Sequence, residues 1–254
     1  MIIFPIMSNI KRFFSVTLMA FFIVSASFAQ DAGGTASDGG TQRQVRMDLN
    51  RFRTVYGSDG LEMRKKILND IGEAVKQGNT NDEIYAALEY MSMEGLKNRS
   101  MERGRIQNDY PQIRADVAEQ LGKIGTEKAA EILIQQCRNE QNEQYNILEK
   151  IINALGDIGI NENGATVKNI LWRVRVYNPA YPDTSVERVI APAIYALYKI
   201  EKKNDGFKNE DDLKDVQTFL DRVNKGHFTR PVQDYAKKVL EEILRRDAER
   251  RQGT

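Results

Sequence analysis

Apolar residues recur along the chain at helical spacing and are punctuated by glycine. Within Ile113 to Gly125, the residues Ile113, Val117, Leu121 and Ile124 fall at i, i+4, i+8 and i+11, while Asp116, Glu119, Gln120 and Lys123 take the wet side of the same helix. Gly125 is expected to stop that helix. Thr126 is expected to cap a second one, from Glu127 to about Arg138, with Ala130, Leu133, Ile134 and Cys137 on one face. One such pair cannot bury both of its apolar faces, so it needs neighbours.

Weaker copies supply them. Met63, Ile67, Ile71 and Gly72 repeat the pattern upstream. Ile147, Ile151, Leu155, Gly156, Ile158 and Gly159 repeat it downstream, followed by Val189, Ala193, Leu197 and Ile200, then by Val232, Ala236, Leu240 and Ile243. The copies are unevenly spaced, which stacked helix pairs tolerate because their outer loops absorb insertions. The expected fold is therefore all-α, an α-solenoid of stacked antiparallel helix pairs.

The second helices follow the same logic. Thr80-Asn81-Asp82-Glu83 reads as a capping box before Ile84, Ala87, Leu88 and Met91, and Thr184-Ser185-Val186-Glu187 as another before the fourth copy. Ala165 to Tyr177 carries Val167, Ile170, Leu171 and Val174, and Asp211 to Lys225 carries Leu213, Val216, Leu220 and Val223. Gly57 and Gly60 are expected to bracket a turn before a first helix from Leu61. Pro192 is expected to kink its helix or to mark its start near Ala191. Asn98 to Asp109 is too polar for a repeat helix and reads as an inserted arm with Arg99, Arg103 and Arg105, ended by Pro111.

The copy from Ile113 to Leu133 resembles the HEAT-like repeats of the phycobilisome-lyase type, in which an inner helix reading roughly V-R-x-x-A-A-x-x-L-G-x-I-G is followed by a short turn and an outer helix. Arg114, Ala115, Ala118, Leu121, Gly122, Ile124 and Gly125 sit where that family has its arginine, its small residues and its glycine-containing turn. Arg64 and Gly72 repeat two of these positions, whereas Leu148, Ile190 and Gln233 replace the arginine in later copies. The resemblance spans most of residues 61–247. It implies an inner surface that binds other proteins and, as an alternative, a lyase or transferase that attaches a prosthetic group; it carries no chemistry of its own, because unrelated proteins share the repeat.

Ahead of the repeats the composition shifts twice. Lys11 and Arg12 precede an apolar run from Phe13 to Val24, and Ser27-Phe28-Ala29 offers small residues to a signal peptidase, so residues 1–29 read as a secretory leader cut near Ala29. The mature chain is then exported, to a periplasm or beyond. Residues 30–42 are Gly-, Ser-, Thr- and Asp-rich and read as a flexible leader. Residues 43–60 carry Val45, Leu49, Phe52 and Tyr56 on one helical stripe, an N-terminal cap for the repeats of 61–254. The same segment, through Arg43, Arg46, Arg51 and Arg53, suits a membrane surface as an alternative.

Charge and chemistry narrow the function. Of 254 residues, 37 are Lys or Arg and 36 Asp or Glu. Loss of the leader moves the formal charge from +1 to −1, which gives no reason to expect nucleic acid. Cys137, the single cysteine, excludes an intramolecular disulfide and sits on an apolar stripe as a core residue. His227, the single histidine, has no acidic or cysteine partner at ligand spacing, and no GxxxxGK[ST] loop occurs. Neither catalytic residues nor metal or cofactor ligands are assigned, and the expected partner is another protein. Trp172, Arg173, Arg175 and Tyr177, the Pro-rich loop with Tyr181, and Tyr195 and Tyr235 on the inner helices are the candidate binding residues, since rigid aromatics and arginines carry most interface energy.

Overall fold

The computed structural model describes Val55, residues 57–180 and residues 183–252. The secretory leader, residues 30–42, most of the 43–60 segment and Tyr181 lie outside the described residues. The fold is all-α. Its helices are α1 (Gly57–Lys76), α2 (Asp82–Ser92), α3 (Pro111–Ile124), α4 (Glu127–Asn139), α5 (Tyr145–Ile158), α6 (Ala165–Val174), α7 (Glu187–Lys203), α8 (Glu210–Lys225) and α9 (Arg230–Gln252).

Each helix packs on its next-but-one neighbour. One row runs α1, α3, α5, α7, α9, and a second runs α2, α4, α6, α8, with contacts such as α3 to α4, α4 to α5, α6 to α7 and α8 to α9 joining the rows. The apolar stripes face inward as their spacing requires. Ile113, Val117 and Leu121 of α3, Ile151 and Leu155 of α5, and Val189, Ala193 and Leu197 of α7 are all fully buried. Leu88 and Met91, Leu133 and Cys137, Val167 and Ile170, and Val216 and Leu220 do the same for the second row. Together they form one continuous apolar cluster from Ile67 to Ile243.

Helix ends follow local chemistry. Gly125 ends α3 at φ 73°, a left-handed conformation that a side chain disfavours, and its N–H donates to the Leu121 carbonyl. Thr126 caps α4 by accepting from the Ala129 N–H at 3.3 Å. Two expected caps move by one residue. Asn81, not Thr80, caps α2 through the Ile84 N–H at 3.0 Å. Asp183 accepts from the Ser185 N–H at 2.9 Å and opens a single 3₁₀ turn, Thr184–Val186, ahead of α7. Glu187 then turns away from its own helix, and its carboxylate accepts from the Thr229 N–H and hydroxyl at 2.6 and 2.7 Å, which ties the start of α7 to the start of α9.

Two glycines and a proline sit differently from the sequence expectation. Gly57 and Gly60 do not bracket a turn: α1 already begins at Gly57, and a Cβ on Gly60 would lie 2.6 Å from the Val55 carbonyl oxygen and 2.7 Å from the Tyr110 hydroxyl. Gly122 lies within α3, as the stripe that continues to Ile124 requires. Pro192 does not mark the start of its helix but falls inside α7. The inserted arm carries the only strands among the described residues, β1 (Met101–Glu102) and β2 (Arg105–Ile106), paired antiparallel around Arg103 and Gly104.

Candidate functional site

The largest fully buried side chains include three arginines, Arg64, Arg114 and Arg173. A buried guanidinium needs partners for its donors, and here a relay supplies nearly all of them, the Nε of Arg173 alone being left without one. Arg64 donates to both oxygens of Glu94, at 2.6 and 2.5 Å, just beyond the end of α2. The backbone carbonyl of Glu94 accepts from Arg114 at 3.0 Å, and Arg114 also donates to Glu140, at 2.8 and 3.1 Å, and to Asp109 at 2.6 Å. The carbonyl of Glu140 accepts in turn from Arg173 at 2.9 Å, and Arg173 reaches the Cys137 carbonyl and, at 2.6 Å, Asn142. Each acid thus serves one arginine with its carboxylate and the next with its carbonyl. Burial pulls the Arg114 pKa down, yet its hydrogen bonds and charge attraction with Glu140 and Asp109 outweigh that and raise it.

The relay redistributes the residues expected to bind a partner. Arg173 is buried and spent on helix-end carbonyls, so it does not belong to the surface cluster proposed from its neighbours. Tyr177 is also buried; its hydroxyl donates to the Asn142 carbonyl at 2.8 Å, and burial pushes its pKa up to about 12. Trp172 remains 47% exposed on α6, with the Arg173 guanidinium 5.1 Å from its ring. Arg175 is exposed and pairs with Asp215 of α8 at 3.0 Å.

Tyr195 and Tyr235 lie on the other row, on α7 and α9. Tyr195 is 44% exposed, with Lys199 Nζ 4.0 Å from its ring centre. Tyr235 is half-buried, and its phenol pKa is raised by burial first and then by the closeness of Tyr195 and Tyr198. Lys202 sits 5.4 Å from the Tyr198 ring. Three tyrosines under two lysines therefore meet between α7 and α9. Tyr198 was missed from the sequence; its signal was its spacing of three from Tyr195, which puts both on adjoining turns of one helix.

The wet face of α3, α5 and α7 leads up to this cluster. Cross-helix ion pairs lace it: Lys150 with Glu119, Arg188 with Glu149 at 3.1 Å, and Lys199 with Asp157 at 2.5 Å. A groove of about 620 Å³ runs among Glu119, Lys123, Asn153 and Asp157, residues that repeat spacing aligns into two rows. Its charges neutralise one another, so the groove offers patterned polarity rather than a net field.

Candidate chemistry does not assemble elsewhere among the described residues. No three His, Cys, Asp or Glu side chains are placed to hold a metal ion. Burial raises the Cys137 pKa, against the opposing pull of Arg173, which keeps the thiol protonated. The carboxylate of Glu162, in the turn ahead of α6, raises the pKa of Glu127 at the start of α4, on an open surface. No helix among the described residues is long and apolar enough to cross a membrane. The fold and this face define an all-α protein of two helix rows with a polar, ion-paired flank ending in tyrosines. No family model and no curated protein matches the chain.

Proposed function

We propose that the chain is an exported, non-enzymatic scaffold of HEAT-like repeats that binds another protein on the α7–α9 end of its first helix row. The observation that carries this reading is the tyrosine cluster: Tyr195 stands exposed among Tyr198, Tyr235 and Lys199, where the adjoining groove is closed by its own ion pairs. Aromatic side chains offer large area for little lost conformational freedom, and such residues dominate binding energy more often than the charges around them. Next-but-one packing of the helices and the matching burial of Leu121, Leu155 and Leu197 support the repeat architecture. The apolar run at 13–24 with Ser27-Phe28-Ala29 supports export.

A photoreactive phenylalanine analogue placed at position 195, in the native host, tests the reading. Irradiation is expected to yield a discrete protein adduct from position 195 and none from the exposed position 131 on α4. Equal adducts at both positions, or an adduct only at 131, would remove the binding face from α7–α9.

A further inference from the structure

The arm between α2 and α3 holds two apolar side chains out in solvent. Met101 is 57% and Ile106 37% exposed, and they face each other across the two strands. Side chains alternate along a strand, so Met101 and Ile106 share one face of the hairpin, and Glu102 and Arg105 share the other. Around them, Lys97, Arg99, Arg103 and Arg105 are exposed, and Glu102 is the lone acid from residue 97 to 107. Arg99 donates from Nε to the Leu96 carbonyl at 2.6 Å. No ion pair to another described residue holds any of these four, whereas surface cations such as Lys128 and Arg188 pair with Asp82 and Glu149.

The arm is also well anchored at its base. The Asn108 side chain accepts from the Ser100 N–H at 2.7 Å and donates to the Asn98 carbonyl at 2.7 Å, and the Gln107 N–H donates to the Ser100 carbonyl at 2.8 Å. A rigid, projecting tip with an apolar pair and excess positive charge has lost little freedom to lose again on docking.

We propose that this arm seats on an anionic lipid bilayer, with Met101 and Ile106 entering the headgroup region and Arg99, Arg103, Arg105 and Lys97 meeting lipid phosphates. A bilayer fits better than a folded partner, because a tip of two-residue strands presents far less than the roughly 800 Å² per side of a stable protein interface. A bilayer asks only for shallow apolar insertion and charge. Arginine stems add apolar area while their heads stay with phosphate. This site is independent of the α7–α9 face and would hold the scaffold at a membrane surface without a spanning segment.

Co-sedimentation of the full chain with vesicles tests it, using phosphatidylcholine alone and phosphatidylcholine mixed with phosphatidylglycerol. Each basic side chain near an anionic bilayer raises partitioning roughly fivefold, so Arg103→Glu with Arg105→Glu is expected to lower binding to the anionic vesicles more than about tenfold. Met101→Ser with Ile106→Ser is expected to lower it several-fold, and Lys97→Glu, outside the strand pairing, to lower it without touching the hairpin. All three leave the melting curve in place, because the changed side chains are exposed. No preference for anionic vesicles, or equal sedimentation of parent and variants, overturns the proposal. Arm-dependent capture on immobilised polyglutamate without vesicle binding also overturns it and reassigns the arm to an acidic protein.

Discussion

The junctions α3–α5–α7 and α7–α9 use the same repeat positions and fill them differently. At the first two, a glycine of one helix lies against an alanine of the next: a Cβ on Gly122 would fall 2.9 Å from the Ala154 Cβ, and one on Gly156 2.7 Å from the Ala196 Cα. Backbones there meet with nothing larger than an alanine methyl between them. At α7–α9 the corresponding residues are Tyr198 and Val239, too large for such an approach. The repeat leucine follows suit, fully buried at Leu121, Leu155 and Leu197 but only half-buried at Leu240. The middle of the chain is sealed by small residues, and the C-terminal junction carries the bulky, partly exposed aromatics that the proposed binding face uses.

Buried ions sharpen the contrast. Glu140 is held by an arginine that is itself buried, whereas Glu201 is held by Arg246 and Arg250, which are 24% and 26% exposed. Arg114→Ala is therefore expected to cost about 3 to 5 kcal/mol, since it strands Glu140 in the interior. Arg250→Ala, where Arg246 and solvent remain, is expected to cost less than half of that. Chemical denaturation of both variants checks the order, and equal losses would erase the difference between the two ends.

Next in size come the leucines. Leu155→Ala is expected to destabilise by about 2 to 5 kcal/mol, and Leu240→Ala by less than about 2 kcal/mol, because a half-exposed site leaves no closed cavity. Gly156→Ala pushes a methyl into Ala196 and is expected to cost about 1 to 3 kcal/mol despite its better helix propensity. A stabilising Gly156→Ala, read from the melting temperature, would mean that α5 and α7 are not in backbone contact. Smallest is Tyr195→Ala, expected to change stability by less than about 0.5 kcal/mol as a surface substitution, yet to weaken partner capture by more than about 1 kcal/mol.

The helices and their registers were legible because a 3.6-residue stripe and a left-handed glycine are local signals; Leu121, Gly125 and Thr126 each do what their neighbours in sequence demand. The relay was not legible. Arg173 lies one turn from buried Asn169 on the flank of the α6 stripe, and only the carbonyls of Cys137 and Glu140 and the side chain of Asn142, brought from the end of α4 and the loop after it, make that place habitable for a charge. Where Leu148 takes the position of Arg114, a guanidinium arrives from the second helix instead, which no comparison of first helices reveals. Gly60 misled in the other direction, since a glycine needed for close packing and one needed for a turn read alike. The arm was recognised as an insertion, but its pairing rests on Arg103 and Gly104, both at positive φ, and on Asn108 reaching back across its base. The candidate surface was legible only in part: Trp172, Arg175 and Tyr195 are exposed, whereas Arg173 and Tyr177 are held inside by partners distant in sequence.

Native-state hydrogen exchange measures the difference between the two junctions directly. Amides of α5, sealed on both sides by glycine–alanine contacts, are expected to exchange only through the largest opening free energy in the chain. Those of α9, beyond Tyr198 and Val239, are expected to exchange through a smaller, separate opening. If α9 exchanges as slowly as α5 and by the same cooperative event, the C-terminal junction is as tightly sealed as the middle, and the account of a closed centre with a yielding, tyrosine-bearing end is contradicted.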